Sequence, residues 1–383
     1  MALTFDDVVT AAREKSGAPD PDTDSWREGL EILLRDHAKA DCLTERGWSI
    51  MKNRYVEALA ARMQVDEYIR KNPAVVQAPV ERPVFILGMP RTGTTVLSYM
   101  MASDPANRSM LRWEAYNGGA PAAPGALKTD PRCLAELAKD EAMLKANPAI
   151  GAAHWEPGDG PTECVHLVAQ DFRSLMLAVL SVTPTYHDYM MFCDMTTAFE
   201  HRKRVLQCLQ STNGGRWILK MPSDALFIRQ IFKTFPDAKI IWTHRDPYAT
   251  FASSVNMRGK SRLIFNKDSG LDYMHTYFPL QLANHVARPL EVSRERPGDI
   301  YHLYYDDMIA DPLAAVKKIY AWLGDEWTDA AQSAMQAWLA ENPQGRHGVH
   351  KYSLAEWGFT KQDLEPYFAD YLRVHPVATG REV

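Results

Sequence analysis

The chain has 383 residues, 46% of them apolar and 24% charged, with a formal net charge of −5 at pH 7. That is the mix of a globular protein, long enough for one elaborated α/β domain or for two or three smaller ones, without the basic excess that nucleic-acid binding draws on. Its five cysteines (Cys42, Cys133, Cys164, Cys193, Cys208) form no C-x-x-C pair, so spacing offers neither a disulfide framework nor a metal cluster.

The chain opens on MALTFDDVVTAAREKSG, which is acidic and has no apolar signal core. Its longest apolar stretch, LMLAVLSV from Leu175, is too short to span a bilayer, so a cytoplasmic protein is expected. Residues 1 to about 75 show helical spacing in TFDDVVTAAREK, TDSWREGLEILLRDHAKA and RYVEALAARMQVDEYIRKN, with Thr23 or Asp24 as a cap for the second. Pro73, Pro79 and Pro83 then predict an extended connector. PVFILG (83–88) is a continuous apolar run ending in glycine, the pattern of a strand buried on both faces, and TTVLSYMMASD returns to helical spacing.

Residues 115–160 are rich in Pro, Gly and Ala around a helical RCLAELAKDEAMLKAN. Residues 162–212 are expected to be helical except for a break at Pro184. GRWILKMP predicts a second strand, and DALFIRQIFKTF a helix capped by Ser223 or Asp224. AKIIWTHRDP is a third strand running into the helix YATFASSVNM, and DIYHLYYDDM a fourth, followed by the helix PLAAVKKIYAWLG. Strands alternating with helices predict a parallel, doubly wound α/β sheet. It would occupy residues 79–383, after an N-terminal helical extension (1–78) and around a helical insertion (about 115–212).

The chemistry concentrates in GMPRTGTT (88–95), between the first strand and its helix. A glycine loop feeding a helix presents backbone N–H groups and the positive end of the helix dipole to an anion. The spacing is that of a P-loop, but Thr94 stands where the phosphate-gripping lysine belongs. Arg91 supplies charge from another point of the loop, and a planar guanidinium suits a tetrahedral oxyanion. These residues leave open an ATP-using small-molecule kinase, a non-catalytic nucleotide-binding protein, or an enzyme whose nucleotide carries a terminal sulfuryl group and needs no magnesium.

Four segments in order resemble the sulfotransferases that use 3′-phosphoadenosine 5′-phosphosulfate (PAPS), over roughly residues 80–360. Pro90-Arg91-Thr92-Gly93-Thr94-Thr95 is similar to their P-[KR]-[ST]-G-T-T loop, in the arginine form of the tyrosylprotein and many bacterial members. HRDPYATFASS resembles the segment that grips the 3′-phosphate, with Arg245 and Ser253 at the family's spacing. HLYYDDM resembles the segment that brings a tyrosine, here Tyr305, toward the nucleotide. GRHGVHK fits the late G-x-x-G-x-x-K loop, but Pro343 and Gln344 replace the Arg-Lys of cytosolic members, leaving Arg346, Gly348 and Lys351.

The resemblance implies a P-loop-like sulfotransferase fold and PAPS as co-substrate, with adenosine 3′,5′-bisphosphate as product and no metal. The acceptor would be a small hydroxyl compound, expected to be apolar because residues 115–212 are rich in Met and aromatics. Arg91 and Lys220 would stabilise the transferring group, and Arg91, Thr92, Gly93, Thr94, Thr95, Arg245, Ser253 and Tyr305 would hold the nucleotide. The histidine that cytosolic members place two residues after the strand lysine is replaced by Pro222. Glu114, in LRWEA, is the base that the tyrosylprotein pattern implies, with His154 and His166 as alternatives. A structural Glu114 paired with Arg112 or Arg91 fits the residues equally well.

Overall fold

In the computed structural model the described residues are 3–146, 156–343 and 353–379. The chain begins with helices α1 (Phe5–Ser16), α2 (Arg27–Ala40) and α3 (Glu45–Lys71). A capping box between Thr4 and Asp7 starts α1, and the Thr44 hydroxyl accepts the Gly47 N–H to start α3. Helix α2 has no side-chain cap: it begins at Arg27, beyond the Thr23–Asp24 pair expected to cap it. The proline-rich connector is partly wound, with a 3-10 turn over Pro73–Gln77.

Then come β1 (Val84–Gly88), α4 (Thr94–Ser103), β2 (Asn107–Ser109), α5 (Arg112–Tyr116) and α6 (Pro131–Ala146). Helices α7 (Val165–Ala169), α8 (Pro184–Phe192) and α9 (Thr196–Gln210) complete the insertion. Pro184 starts α8 rather than breaking a longer helix, because its missing N–H costs nothing in a first turn. The α/β alternation resumes with β3 (Arg216–Lys220), α10 (Ile228–Thr234), β4 (Lys239–His244), α11 (Pro247–Phe265) and α12 (Leu271–Glu295). Last come β5 (Ile300–Tyr304), α13 (Tyr305–Ala310), α14 (Pro312–Leu323), α15 (Asp329–Glu341) and α16 (Lys361–Val374). The helix expected from Asp224 opens instead as a 3-10 turn over Pro222–Phe227. Among the described residues no helix is long and apolar enough to cross a membrane.

All five strands pair in parallel, in the order β2-β3-β1-β4-β5. The expected doubly wound sheet is therefore present, with β2, only three residues long and polar, as an unforeseen edge strand. Alternation explains why the central strands read as unbroken apolar runs. Phe85 and Leu87, Trp217 and Leu219, and Ile240 and Trp242 enter the core on one face of the sheet. Val84, Ile86, Ile218 and Ile241 enter a separate core on the other. Each such side chain, fully buried, contributes roughly 1.5–3 kcal/mol. The first core also takes in Val8, Leu30, Leu33, Tyr55 and Leu59, so the N-terminal helices share the core of the α/β body.

The strand order reverses at β1, and in open parallel sheets that is where a crevice forms beyond the strand ends. Register places Ile86 beside Lys220, Gly88 beside Thr243, and His244 beside Tyr304. The loop after β1, Lys220 ending β3, Arg245 after β4 and Tyr305 after β5 consequently meet along one edge of the sheet.

Candidate active site

The glycine loop is held by its own backbone and by β4. Gly88 has φ +145°, and a Cβ there would sit 2.6 Å from the Thr243 hydroxyl, so only glycine lets the two strand ends approach. Thr92 is buried; its hydroxyl donates to the Met89 carbonyl at 2.7 Å and shares a 2.5 Å hydrogen bond with Thr243. The Thr92 side chain thus ties the loop shut, leaving Gly93, Thr94 and Thr95, where α4 begins, to line the cleft.

Arg91 adopts φ +71°, a left-handed conformation costly for a residue with a side chain. Two contacts hold it there. Arg245 Nη1 donates to the Arg91 carbonyl at 2.7 Å, and Arg91 Nε approaches Ser253 Oγ at 3.3 Å. Arg245 also lies over the Tyr305 ring, 4.2 Å from its centroid, and that ring closes against Gly93. Asp246 is not a partner of Arg245: it caps α11, accepting the Tyr248 N–H at 2.9 Å. Arg91, Arg245, Ser253 and Tyr305, four residues from three distant segments, form one cationic corner.

This corner is one end of a cleft of about 690 Å³. The opposite wall comes from an extended stretch before α7. Thr162 N–H donates to the Met110 carbonyl and Cys164 N–H to that of Lys220, at 2.8 and 3.0 Å, and a parallel bridge sets Glu163 beside Lys220. Lys220 is 2% exposed, and its Nζ lies 3.0 Å from Glu163 and 3.3 Å from Glu156. Burial works against the ammonium, but the charges of Glu163 and Glu156 and their hydrogen bonds outweigh it, so its pKa is raised. Glu156 also accepts from the Thr162 hydroxyl at 2.6 Å. The cleft is completed by Arg54 from α3, Arg112 and Tyr116 from α5, Met143 from α6, and His166. His166 meets the Tyr116 ring edge-on at 4.6 Å, and burial lowers its pKa to about 4, which leaves it neutral near pH 7.

The Sulfotransferase family profile matches residues 83–329. The chain belongs to the sulfotransferase family. It is similar over 99% of its length to sulfotransferase STF9 from Mycobacterium avium, with 38% identity, a TM-score of 0.93 and 98% of that chain covered. Sulfotransferase STF1 from Mycobacterium tuberculosis H37Rv matches with 27% identity and a TM-score of 0.84, over 96% of this chain and 99% of that one. The omega-hydroxy-beta-dihydromenaquinone-9 sulfotransferase Stf3 of M. tuberculosis is 27% identical over 258 residues, 63% of this chain. The match spans about three-fifths (62%) of that relative's own length. These likenesses give the small-molecule kinase alternative no support.

Of the predicted site residues, Arg91, Gly93, Thr94, Thr95, Arg245 and Tyr305 line the cleft, Ser253 stands behind Arg91, and Thr92 and Lys220 are buried outside its lining. Glu114 does not line it. It is 4% exposed, ion-paired to Arg108 at 2.5 Å, while its other oxygen accepts the Leu111 N–H at the start of α5. Its carboxylate is held by a guanidinium and by the start of a helix, away from the lining of the cleft. His154, Arg346, Gly348 and Lys351 lie outside the described residues.

Sequence reasoning missed Glu156 and Glu163, although both flank Thr162 in the stretch that drew attention to His166. It also missed a three-histidine group. His244, His302 and His375 bring ring nitrogens within 4.8 Å of one another, a set that could hold a metal ion. His244 Nε2 bonds His302 at 2.9 Å, its Nδ1 bonds the Tyr371 hydroxyl at 3.0 Å, and its ring stacks on His375. Since 58 residues or more separate these histidines, spacing could not reveal them.

Proposed function

We propose that the protein transfers a sulfuryl group from PAPS to the hydroxyl of a small acceptor, with no metal needed in the step. The observation that carries this reading is the opposition of two walls across one cleft. On one side lies an anion-binding loop with Arg91 and Arg245, and on the other Glu163 hydrogen-bonded to a buried, charged Lys220. The nucleotide's 5′-phosphosulfate sits on the N–H groups at the start of α4, where the helix dipole favours negative charge. Its 3′-phosphate meets Arg245 and Ser253. By the family resemblance, the late loop with Gly348 would bring Arg346 and Lys351 as further cations for the nucleotide.

In the reaction the acceptor oxygen attacks sulfur in line while the bond from sulfur to the 5′-phosphate oxygen breaks. The acceptor proton passes to Glu163, which lines the cleft and lies at its neck toward a second cavity. The sulfuryl oxygens spread the developing charge, and Arg91, the loop N–H groups and Lys220 stabilise it. Lys220 is placed to exchange one of its glutamate contacts for the transferring group. Glu163 is favoured over His166 because it lines both the cleft and the second cavity, whereas His166 lines the cleft but not that cavity.

Calorimetry tests the donor assignment. Adenosine 3′,5′-bisphosphate is expected to bind and ATP–magnesium to bind much more weakly. Tight ATP–magnesium binding without any for the bisphosphate would refute it.

A further inference from the structure

The cleft opens through a neck into a second cavity of about 220 Å³. Pro90, Glu163, Val165, Met176, Pro222 and Met257 line both spaces. Much of the second wall is apolar, with Leu175, Val179, Tyr273 and Phe278, as a pocket for a nonpolar acceptor would be. Two arginines break that pattern. Arg258 and Arg262 lie four residues apart on α11, so they share one helix face, an arrangement in which like charges repel.

Among the described residues no carboxylate forms an ion pair with either one. Arg262 is 1% exposed; its Nε and Nη2 donate to the carbonyls of Val179 and Ser181 at 3.2 and 2.9 Å, and its guanidinium lies 4.6 Å from the Tyr273 ring centroid and 5.3 Å from that of Phe278, with Tyr273 as its one ionisable hydrogen-bonding neighbour among the described residues. Arg258 lies 4.6 Å over the Phe278 ring, and its one hydrogen bond is a long contact of 3.5 Å to Gln281 Oε1. Burial lowers both guanidinium pKa values, that of Arg258 to about 10 with Arg262's like charge adding to it, and Tyr273 only partly offsets the effect at Arg262. Arg262 is buried and Arg258 half-buried, and two such cations side by side are unfavourable unless something anionic completes them.

We propose that this cavity binds an anionic group, a carboxylate or a phosphate, carried by the acceptor, with Arg258 and Arg262 as its cationic wall. The inference rests on the sulfuryl-transfer reading and narrows it: the acceptor is an amphipathic hydroxy acid. Its hydroxyl stops at the neck beside Glu163, its apolar body passes Met176 and Met257, and its charged end reaches the arginines. Gln281 and His187, joined by a 3.2 Å hydrogen bond, would orient that end. Such an acceptor would be supplied by a reaction that hydroxylates an acid or exposes a hydroxyl on one.

The test is calorimetry on the full chain saturated with adenosine 3′,5′-bisphosphate, which fills the cationic corner by the loop. The probes are 4-hydroxyphenylacetate and its neutral amide, alike in size, with phenyl phosphate as a second anion to separate phosphate from carboxylate. An anion should bind about tenfold or more tightly than the amide, the scale of a hydrogen bond to a charged group. Arg258→Gln should abolish the difference and Arg258→Lys retain part of it; the bisphosphate affinity of each variant reports whether it has folded. Equal affinity for anions and amide in the unaltered protein, absence of binding included, would overturn the proposal. So would an anion preference that survives in Arg258→Gln. Failure to bind the bisphosphate would instead count against the donor assignment, and the probes would then be titrated without it.

Discussion

The two ends of the cleft are built differently. The nucleotide end is made of short segments that each carry their geometry locally: a glycine turn after β1, an arginine at the end of β4, a tyrosine at the end of β5. The acceptor end is made of residues with no common motif. Arg54 comes from the N-terminal helices, Glu156 and Glu163 from an extended stretch backed by the buried Lys220 of β3, and Arg258 and Arg262 from α11. The donor is the shared reactant of the family, and backbone can bind it. The proposed acceptor end has no such shared template, and its side chains are drawn from across the fold.

The sharpest break in that comparison is a pair of glutamates. Glu163→Gln removes the proposed base and is expected to lower kcat by about 10²–10⁴. Glu114→Gln leaves the cleft walls in place but strands Arg108 without its partner, so turnover should hold while stability falls by about 3–5 kcal/mol. Comparing kcat with the urea midpoint for both variants separates the roles. If Glu114→Gln lost as much rate as Glu163→Gln, the structural assignment of Glu114 would fail.

Next in size is Lys220→Met. It deprives the transferring group of its cation and leaves Glu163 and Glu156 facing each other. A rate loss of about 10²–10³ is expected, on the scale of removing one charge-stabilising donor. Undiminished turnover in this variant would mean that Lys220 takes no part in the reaction.

Arg245→Ala tests the nucleotide end. It removes the guanidinium assigned to the 3′-phosphate and the hydrogen bond that holds Arg91 in its left-handed turn. Affinity for adenosine 3′,5′-bisphosphate should fall about ten- to hundredfold. Retained affinity would move the 3′-phosphate elsewhere.

What could be read in the sequence follows the same division. The central strands were legible because a sheet buried on both faces leaves continuous apolar runs, and the loop because its glycines and threonines are contiguous. β2 was not legible: three polar residues at a sheet edge carry no periodic signal. Nor were Glu156 and Glu163, since a carboxylate's function depends on the partner that folding brings to it, here a lysine 64 and 57 residues further on. Glu114 shows the converse: its position after the loop helix matched a pattern, while folding surrounds its carboxylate with Arg108 and the first turn of α5.

The smallest effect near neutrality concerns the scaffold. His37, His201, His244, His285 and His375 are buried in the described structure, and burial lowers the pKa of each: to about 4 for His37 and His375, about 3 for His285, and well below the ordinary 6.5 for His201 and His244. These imidazoles are neutral when folded, whereas in the unfolded chain each takes up a proton as pH falls through 6.5. Their contribution to stability is complete above that value and is lost progressively as pH falls toward 4. Each group in that window costs about 1.4 kcal/mol per pH unit. Even a few acting together would consume much of a typical total of about 5–15 kcal/mol. The urea midpoint should be flat from pH 8 to 7 and fall steeply between 6 and 5. Stability unchanged down to pH 5 would mean that these histidines are charged in the fold.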